Sequence, residues 1–318
     1  MLNMKITAVI LFHEDSIENL IETIKSLKNE VDDIYIISTK ENLKEIEEKN
    51  IIIIKDNFFE NDYSSIRNKN LKYLPENLLL HINVGEVLLT TSIKKHLENQ
   101  SYKVSVIYDS TIVKESRICT KNDFIFTNKV FESIENQDFI LNKNIFIKSV
   151  KTKKNNFQKI LNQWHIKEPL NNQIVYYKAL NYLINKEYDN FICEAEKFLF
   201  NKNIKEENEI LIRYYISLIL LYKNKNKNKI IQNIITCIAK MPQMSEFWCF
   251  VGDYWYENKN FYTAKKFYEF AVVAGKERNI HDDWFLIPEK YKKYPNKMIE
   301  SCNKILENQT KFKSINNI

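Results

Sequence analysis

The chain has 318 residues, enough for two ordinary domains that each bury a core of their own. A hydrophobic content of 44% excludes a disordered chain, and a net charge of +6, spread along the sequence, excludes a concentrated nucleic-acid footprint. With only three glycines, Gly85, Gly252 and Gly275, a Gly-rich phosphate cradle is impossible and any nucleotide must be held differently.

Residues 6–12 form a nearly continuous apolar run after Lys5, the pattern of a strand covered on both faces. His13-Glu14-Asp15 breaks it too early for a signal peptide, and no apolar stretch is long enough to span a membrane. The five cysteines are widely spaced and form no C-x-x-C pair, as expected of buried thiols in a soluble cytoplasmic protein. Residues 16–27 place apolar side chains at helical spacing, with Asp15 or Ser16 able to cap the helix. A strand at 34–37, a helix at 41–49, a strand at 51–54, a helix at 64–73 and a strand at 78–82 follow. That alternation predicts an α/β domain, Rossmann-like, with a mostly parallel sheet and right-handed crossovers. Ligands of such sheets lie beyond the carboxyl ends of the strands. Here those ends carry His13, Glu14 and Asp15, then Ser38 and Thr39, then residues 83–86.

The pattern changes near Trp164, and from about 171 onward it reads helix, short polar turn, helix. Residues 248–255, WCFVGDYW, fit W-x2-L-G-x2-Y, and 264–268, AKKFY, fit A-x3-F. A shift of 34 residues carries Trp248 onto Tyr214, and a looser unit covers 175–198. This is the tetratricopeptide pattern, in which small and aromatic residues let hairpins stack closely. Gly252 takes the small position, Tyr254, Trp255 and Tyr268 read as core beside Trp248, and Gly275 falls where the second helix is expected to end. The segment from Trp284 to the helix near 306 is expected to cap the array. The basic runs at 148–154 and 223–229 read as a solvated linker and an inter-helix turn.

Four segments, in this order, carry a resemblance. Residues 11–20 read LFHEDSIENL, 59–68 FENDYSSIRN, 78–88 LLLHINVGEVL, and 117–132 contain RICTKN and FTNKVFE. The chain resembles family 2 glycosyltransferases of the GT-A fold that carry C-terminal tetratricopeptide repeats, a group that includes bacteriocin peptide S-glycosyltransferases. The resemblance implies a GT-A domain over 1–165 and helical repeats with a cap over 170–318. It implies a nucleoside-diphosphate-sugar donor, a peptide, protein or glycan acceptor presented by the repeats, and no nucleic-acid or membrane partner. His13, Glu14, Ser38, Asp62, Arg67, Asn68, Asn83 and Glu86 fall at donor-binding positions. Glu132 falls where an inverting enzyme keeps its general base.

The departures fall on chemistry. The family's D-x-D aspartates hold Mn2+ or Mg2+ against the donor diphosphate, but here they are Asn83 and Gly85, leaving Glu86 as the one hard ligand. The acidic loop expected after the second strand has shrunk to residues 38–42. Phe131 replaces the histidine before Glu132, and the later H-x-G-Y element is reduced to residues 147–150. Two functions stay open: a glycosyltransferase, or an inactive relative whose repeats bind a protein partner. Arg67 supplies a permanent cation for a diphosphate in the first and a structural partner for Asp62 in the second. His81, His96, His165 and His281 have no partners at metal spacing and read as structural.

Overall fold

The computed structural model describes residues 4–13, 15–39, 43, 46, 50–56, 62–121, 124–135, 138–150, 157–201, 203–278 and 285–316. Glu14, most of the expected helix at 41–49, and His281 lie outside them. The chain divides into two units, one comprising 1–167 with 283–286, the other 168–282 with 287–318.

In the first unit the chain runs β1 (Ile6–Phe12), α1 (Ile17–Leu27), β2 (Asp33–Ser38), β3 (Ile51–Lys55), α2 (Tyr63–Asn70), β4 (Leu78–His81) and β5 (Glu86–Leu88). It continues through β6 (Tyr102–Tyr108), β7 (Thr111–Thr120), β8 (Ile125–Thr127), β9 (Ser133–Glu135), β10 (Ile140–Ser149) and α3 (Gln158–Lys167). Eight strands form one sheet in the order β3-β2-β1-β4-β7-β6-β10-β5, and β8 pairs with β9 apart from it. β1, β2, β3 and β4 run parallel, as does β6 beside β10. β7 runs antiparallel between β4 and β6, and β5 is antiparallel to β10. The sheet is therefore mixed and mostly parallel.

β1 explains why its sequence shows no polar alternation. Ile6, Ala8, Ile10 and Phe12 face one core with Leu20, Ile24 and Leu27 of α1, while Val9 and Leu11 face a second core with Ile66 of α2. Ser16, rather than Asp15, caps α1 by accepting from the Asn19 amide at 3.3 Å. α2 is shorter than expected, closing at Asn70 into a 3-10 turn.

The second unit is all helical. α4 (Asn172–Ile184) pairs with α5 (Tyr188–Phe200), α6 (Glu206–Tyr222) with α7 (Lys227–Lys240), and α8 (Ser245–Glu257) with α9 (Phe261–Glu277). α10 (Lys293–Asn316) packs on α9. Gly252 permits the closest approach: a Cβ there would lie 2.5 Å from Cε1 of Tyr268, which is fully buried. Gly275 does not end its helix, as α9 continues to Glu277; a Cβ at 275 would instead press on Tyr291 at 3.2 Å. Tyr254 and Tyr268 are core, as the pattern implies, but Trp248 and Trp255 are only half-buried.

Two polar clusters hold the cap region. Glu246, fully buried, accepts from the Ile287 amide at 2.8 Å and the Tyr291 hydroxyl at 2.5 Å, with Arg278 at 3.6 Å. Burial pushes the Glu246 carboxyl up, against the pull of Tyr291, the Ile287 amide and Arg278. Asp253 accepts from Tyr268, Tyr294 and Lys290. Two lysines of the basic turn after α6 pair with α5, Lys223 with Asp189 and Lys229 with Glu196, while Lys225 and Lys227 are exposed. Cys119, Cys237, Cys249 and Cys302 are buried free thiols, but Cys193 is exposed. No described helix is long and apolar enough to cross a membrane.

Candidate functional site

Beyond the carboxyl ends of β1 and β4 the first unit opens into a cleft of about 550 Å³. His13 lines it after β1, Asn83 after β4, Arg67 from α2, and Glu132 from the segment between β8 and β9. Tyr63, Phe131 and Phe157 supply an aromatic wall, with the Phe157 ring 5.7 Å from Tyr63 and 5.3 Å from Phe131.

The turn after β4 is locked. Gly85 lies in the left-handed region at φ 84°, a conformation that a side chain strongly disfavours. Its amide donates to Thr23 Oγ1 of α1 at 3.0 Å. Glu86 closes the turn, accepting from the Asn83 amide at 2.7 Å through Oε2 and from the Asn83 side chain at 3.2 Å through Oε1. The same Oε1 accepts from Arg117 Nη2 at 2.8 Å, and both side chains of that ion pair are buried. Glu86 is therefore not the exposed strand-end carboxylate that its sequence context suggests. Arg117 also binds Glu115 at 2.7 Å, and the Tyr108 hydroxyl donates to Glu115 at 2.8 Å. Burial opposes the Arg117 charge, but Glu86 and Glu115 outweigh it and hold the guanidinium protonated.

This donor set does not fit a divalent cation. Both Glu86 oxygens are occupied, and a guanidinium already sits in hydrogen-bond contact with one of them, where a dication would be repelled. Among the described residues no three His, Cys, Asp or Glu side chains cluster at metal-binding distance.

Arg67 makes the second buried pair. Its Nε donates to Glu132 Oε1 at 2.9 Å and its Nη2 to Asn83 Oδ1 at 3.1 Å. Nη1 is buried with no partner among the described residues. The guanidinium carbon lies 5.2 Å from the centre of the Phe126 ring. Asp62, the expected structural partner of Arg67, instead caps α2, accepting from the Ser65 amide and the Ser64 hydroxyl. Asn68 does not line the cleft; its amide exchanges two hydrogen bonds with the Phe126 backbone, at 2.8 and 2.9 Å. Ser38 is buried at the end of β2 and does not line the cleft either. His13 does, its Nδ1 lying 2.7 Å from Thr39 Oγ1.

Sequence reasoning missed Glu115 and Tyr108, whose β6–β7 hairpin carries no periodicity pointing to a site, and assigned no site role to Arg117, although it opens the RICTKN segment. It also read His81 as merely structural. His81 is buried in the cleft floor, edge-on to Phe124 and Phe126, and its ring nitrogens have no partner among the described residues. Burial, then the charges of Arg67 and Arg117, hold it well below its ordinary pKa of 6.5. The unfolded chain takes up this proton and the folded chain does not, so the contribution of His81 to stability falls as pH drops below about 6.5. The melting temperature of His81→Phe is expected to depend less on pH between 5 and 6.5 than that of the wild type, the difference reaching at most about 1.4 kcal/mol per pH unit. Parallel slopes would show that the imidazole is hydrated.

No protein-family model and no curated protein sequence matches the chain. Among solved structures, S. aureus TarS 1-349 in complex with UDP-GlcNAc is similar at 11% identity over 89% of this chain and 96% of that one, with a TM-score of 0.39. The same protein in complex with UDP gives 10% identity, 97% and 91% coverage and a TM-score of 0.37. The Sgt2 TPR domain from Aspergillus fumigatus is similar at 14% identity over 44% of this chain and 82% of that one, with a TM-score of 0.34.

Proposed function

We propose that the chain is a glycosyltransferase-like protein whose first unit binds a nucleoside-diphosphate sugar without a divalent cation, and whose tetratricopeptide-like hairpins hold a peptide, protein or glycan acceptor. The observation that carries this reading is Arg67: a buried guanidinium lining the cleft at the carboxyl end of β4, beside the position of the family's first metal-binding aspartate, with one nitrogen that has no partner among the described residues. A guanidinium binds a phosphate oxygen pair through two charge-assisted hydrogen bonds and needs no metal to do so.

In the transfer itself, a lone pair of the acceptor attacks the anomeric carbon. The bond from that carbon to the diphosphate oxygen breaks, its electron pair leaving on the diphosphate. Glu132 takes the acceptor proton. The aromatic wall of Tyr63, Phe131 and Phe157 shields the reacting sugar from water. The second reading, an inactive relative that serves as a protein-binding partner, is favoured by one contact: the candidate base is held in an ion pair by Arg67.

Calorimetric titration of UDP-sugars into the full chain tests the proposal. Affinity is expected to be the same in manganese and in chelator, and to fall about tenfold to a hundredfold in Arg67→Ala. Binding abolished by chelator, or no nucleotide binding at all, would overturn it. Sugar transfer to an acceptor separates the catalytic reading from the inactive one.

A further inference from the structure

The charged side chains lining the cleft balance. Arg67, Lys114 and Arg117 face Asp15, Glu115 and Glu132, and Glu86 adds a further carboxylate behind Arg117. Among the described residues, a diphosphate entering this cleft finds no surplus cation. Lys114 is engaged by the Ser105 hydroxyl at 2.6 Å, and each of the two guanidinium groups is held by a carboxylate that a diphosphate has to displace.

Two guanidinium pairs are present, and they are unequal. Arg117 is fixed by Glu86, by Glu115 and by the His81 carbonyl. Arg67 is held by one carboxylate and one amide oxygen, and its Nη1 has no partner among the described residues. Its carboxylate partner is also the more accessible, the Glu132 side chain being 19% exposed against 4% for Glu86. Glu132 stands at the end of a segment with two non-glycine residues in the left-handed region, Asn128 at φ 68° and Phe131 at φ 53°. For a bulky aromatic residue this conformation is strained and persists only where its surroundings impose it. Arg67, by contrast, lies within the regular turns of α2. The displaceable half of the pair is therefore the carboxylate, which is the nearer to solvent and lies on a strained segment outside regular structure, while the cation is built into a helix.

We infer that the Arg67–Glu132 ion pair is a donor-operated latch: the diphosphate displaces Glu132 from Arg67, and the carboxylate so released becomes the general base. The inference rests on the proposed donor reading and adds its regulation. Without donor, the base is neutralised by its neighbour. With donor bound, the guanidinium is satisfied by phosphate oxygens, and the freed carboxylate is available for the acceptor proton. The donor thus assembles the base, and acceptor chemistry cannot precede donor binding.

The latch makes an unusual demand on binding. Glu132 competes with the donor for Arg67, so weakening Glu132 must strengthen nucleotide binding. Calorimetric titration of UDP and of uridine into the full-length wild type, Glu132→Gln and Glu132→Ala reads this directly. Both variants are expected to bind UDP about fivefold or more tightly than the wild type, and to show no gain for uridine, which lacks the diphosphate. In the wild type, the Arg67 Nε–H resonance is expected to shift on saturation with UDP, a readout that does not depend on any variant folding. Equal or weaker UDP binding by folded Glu132 variants, or an unmoved Arg67 resonance at saturation, would overturn the latch while leaving the donor reading intact. A wild type that binds no UDP removes both.

Discussion

Replacing Arg117 by alanine is expected to destabilise the first unit by about 3–5 kcal/mol, the range found when one partner of a buried ion pair is removed. Its size follows from what is left behind. Glu86, only 3% exposed, keeps its bonds to Asn83 but loses its counter-charge. Glu115 loses the same cation and retains only the Tyr108 hydroxyl among its described partners. Nearby Arg67 is already engaged by Glu132. The loss should appear in native-state hydrogen exchange at the amides of β4 and β7, which pair directly with each other. A double replacement, Arg117→Met with Glu86→Leu, is expected to recover much of it, because an apolar pair of similar volume avoids the desolvation that the ion pair must overcome. Destabilisation below about 1 kcal/mol for Arg117→Ala would mean that water reaches Glu86 and that its carboxylate is open to a cation.

Tyr268→Ala should destabilise the second unit by a comparable amount, about 3–5 kcal/mol, for a different reason. The ring is fully buried and fills the space that Gly252 leaves open, in a cluster with Ala264 and Cys302. Glycine has no atoms with which to fill the void, so the truncation leaves a cavity that the hairpin cannot close without moving α8 toward α9. Tyr268→Phe separates packing from polarity. It deletes only the 2.7 Å hydrogen bond to Asp253, which still accepts from Tyr294 and Lys290, and is expected to cost about 1 kcal/mol. Amide exchange in α8 and α9 measures both. Equal losses in the two variants would assign the stability to the Asp253 cluster and not to the ring.

Much of the fold could be read from short-range pattern. β1 is buried at every position because both of its faces are covered, and apolar at all but Thr7, and a run of that kind has few alternatives. The 34-residue register of Tyr214 and Trp248 reflects helices that pack through small and aromatic positions, and Gly252 under Tyr268 is that rule at atomic distance. The capping of α2 by Asp62 is equally local, three residues from Ser65, yet it is neither of the roles that the sequence offers for Asp62, a donor contact or a structural partner for Arg67. A side chain at an N-cap satisfies an orphan backbone donor first, and its charge then has little reason to reach further.

The site was decided by tertiary structure. Arg67 meets Glu132 across 65 residues, and Arg117 meets Glu86 across 31. Neither pairing follows from spacing, because each depends on β7 running antiparallel beside β4 and on where the β8–β9 ribbon falls. Propensity, capping and periodicity act over one or two turns of chain, and they determined which residues form strands, helices and hairpins. Charge pairing acts through space, with a strength set by burial that only the assembled sheet provides. The sequence alone therefore determined that asparagine and glycine, not acids, occupy positions 83 and 85 after β4. The tertiary structure decided how that turn is held: Asn83 takes a hydrogen bond from Arg67, Gly85 sits in a left-handed turn, and the neighbouring Glu86 is already neutralised by Arg117.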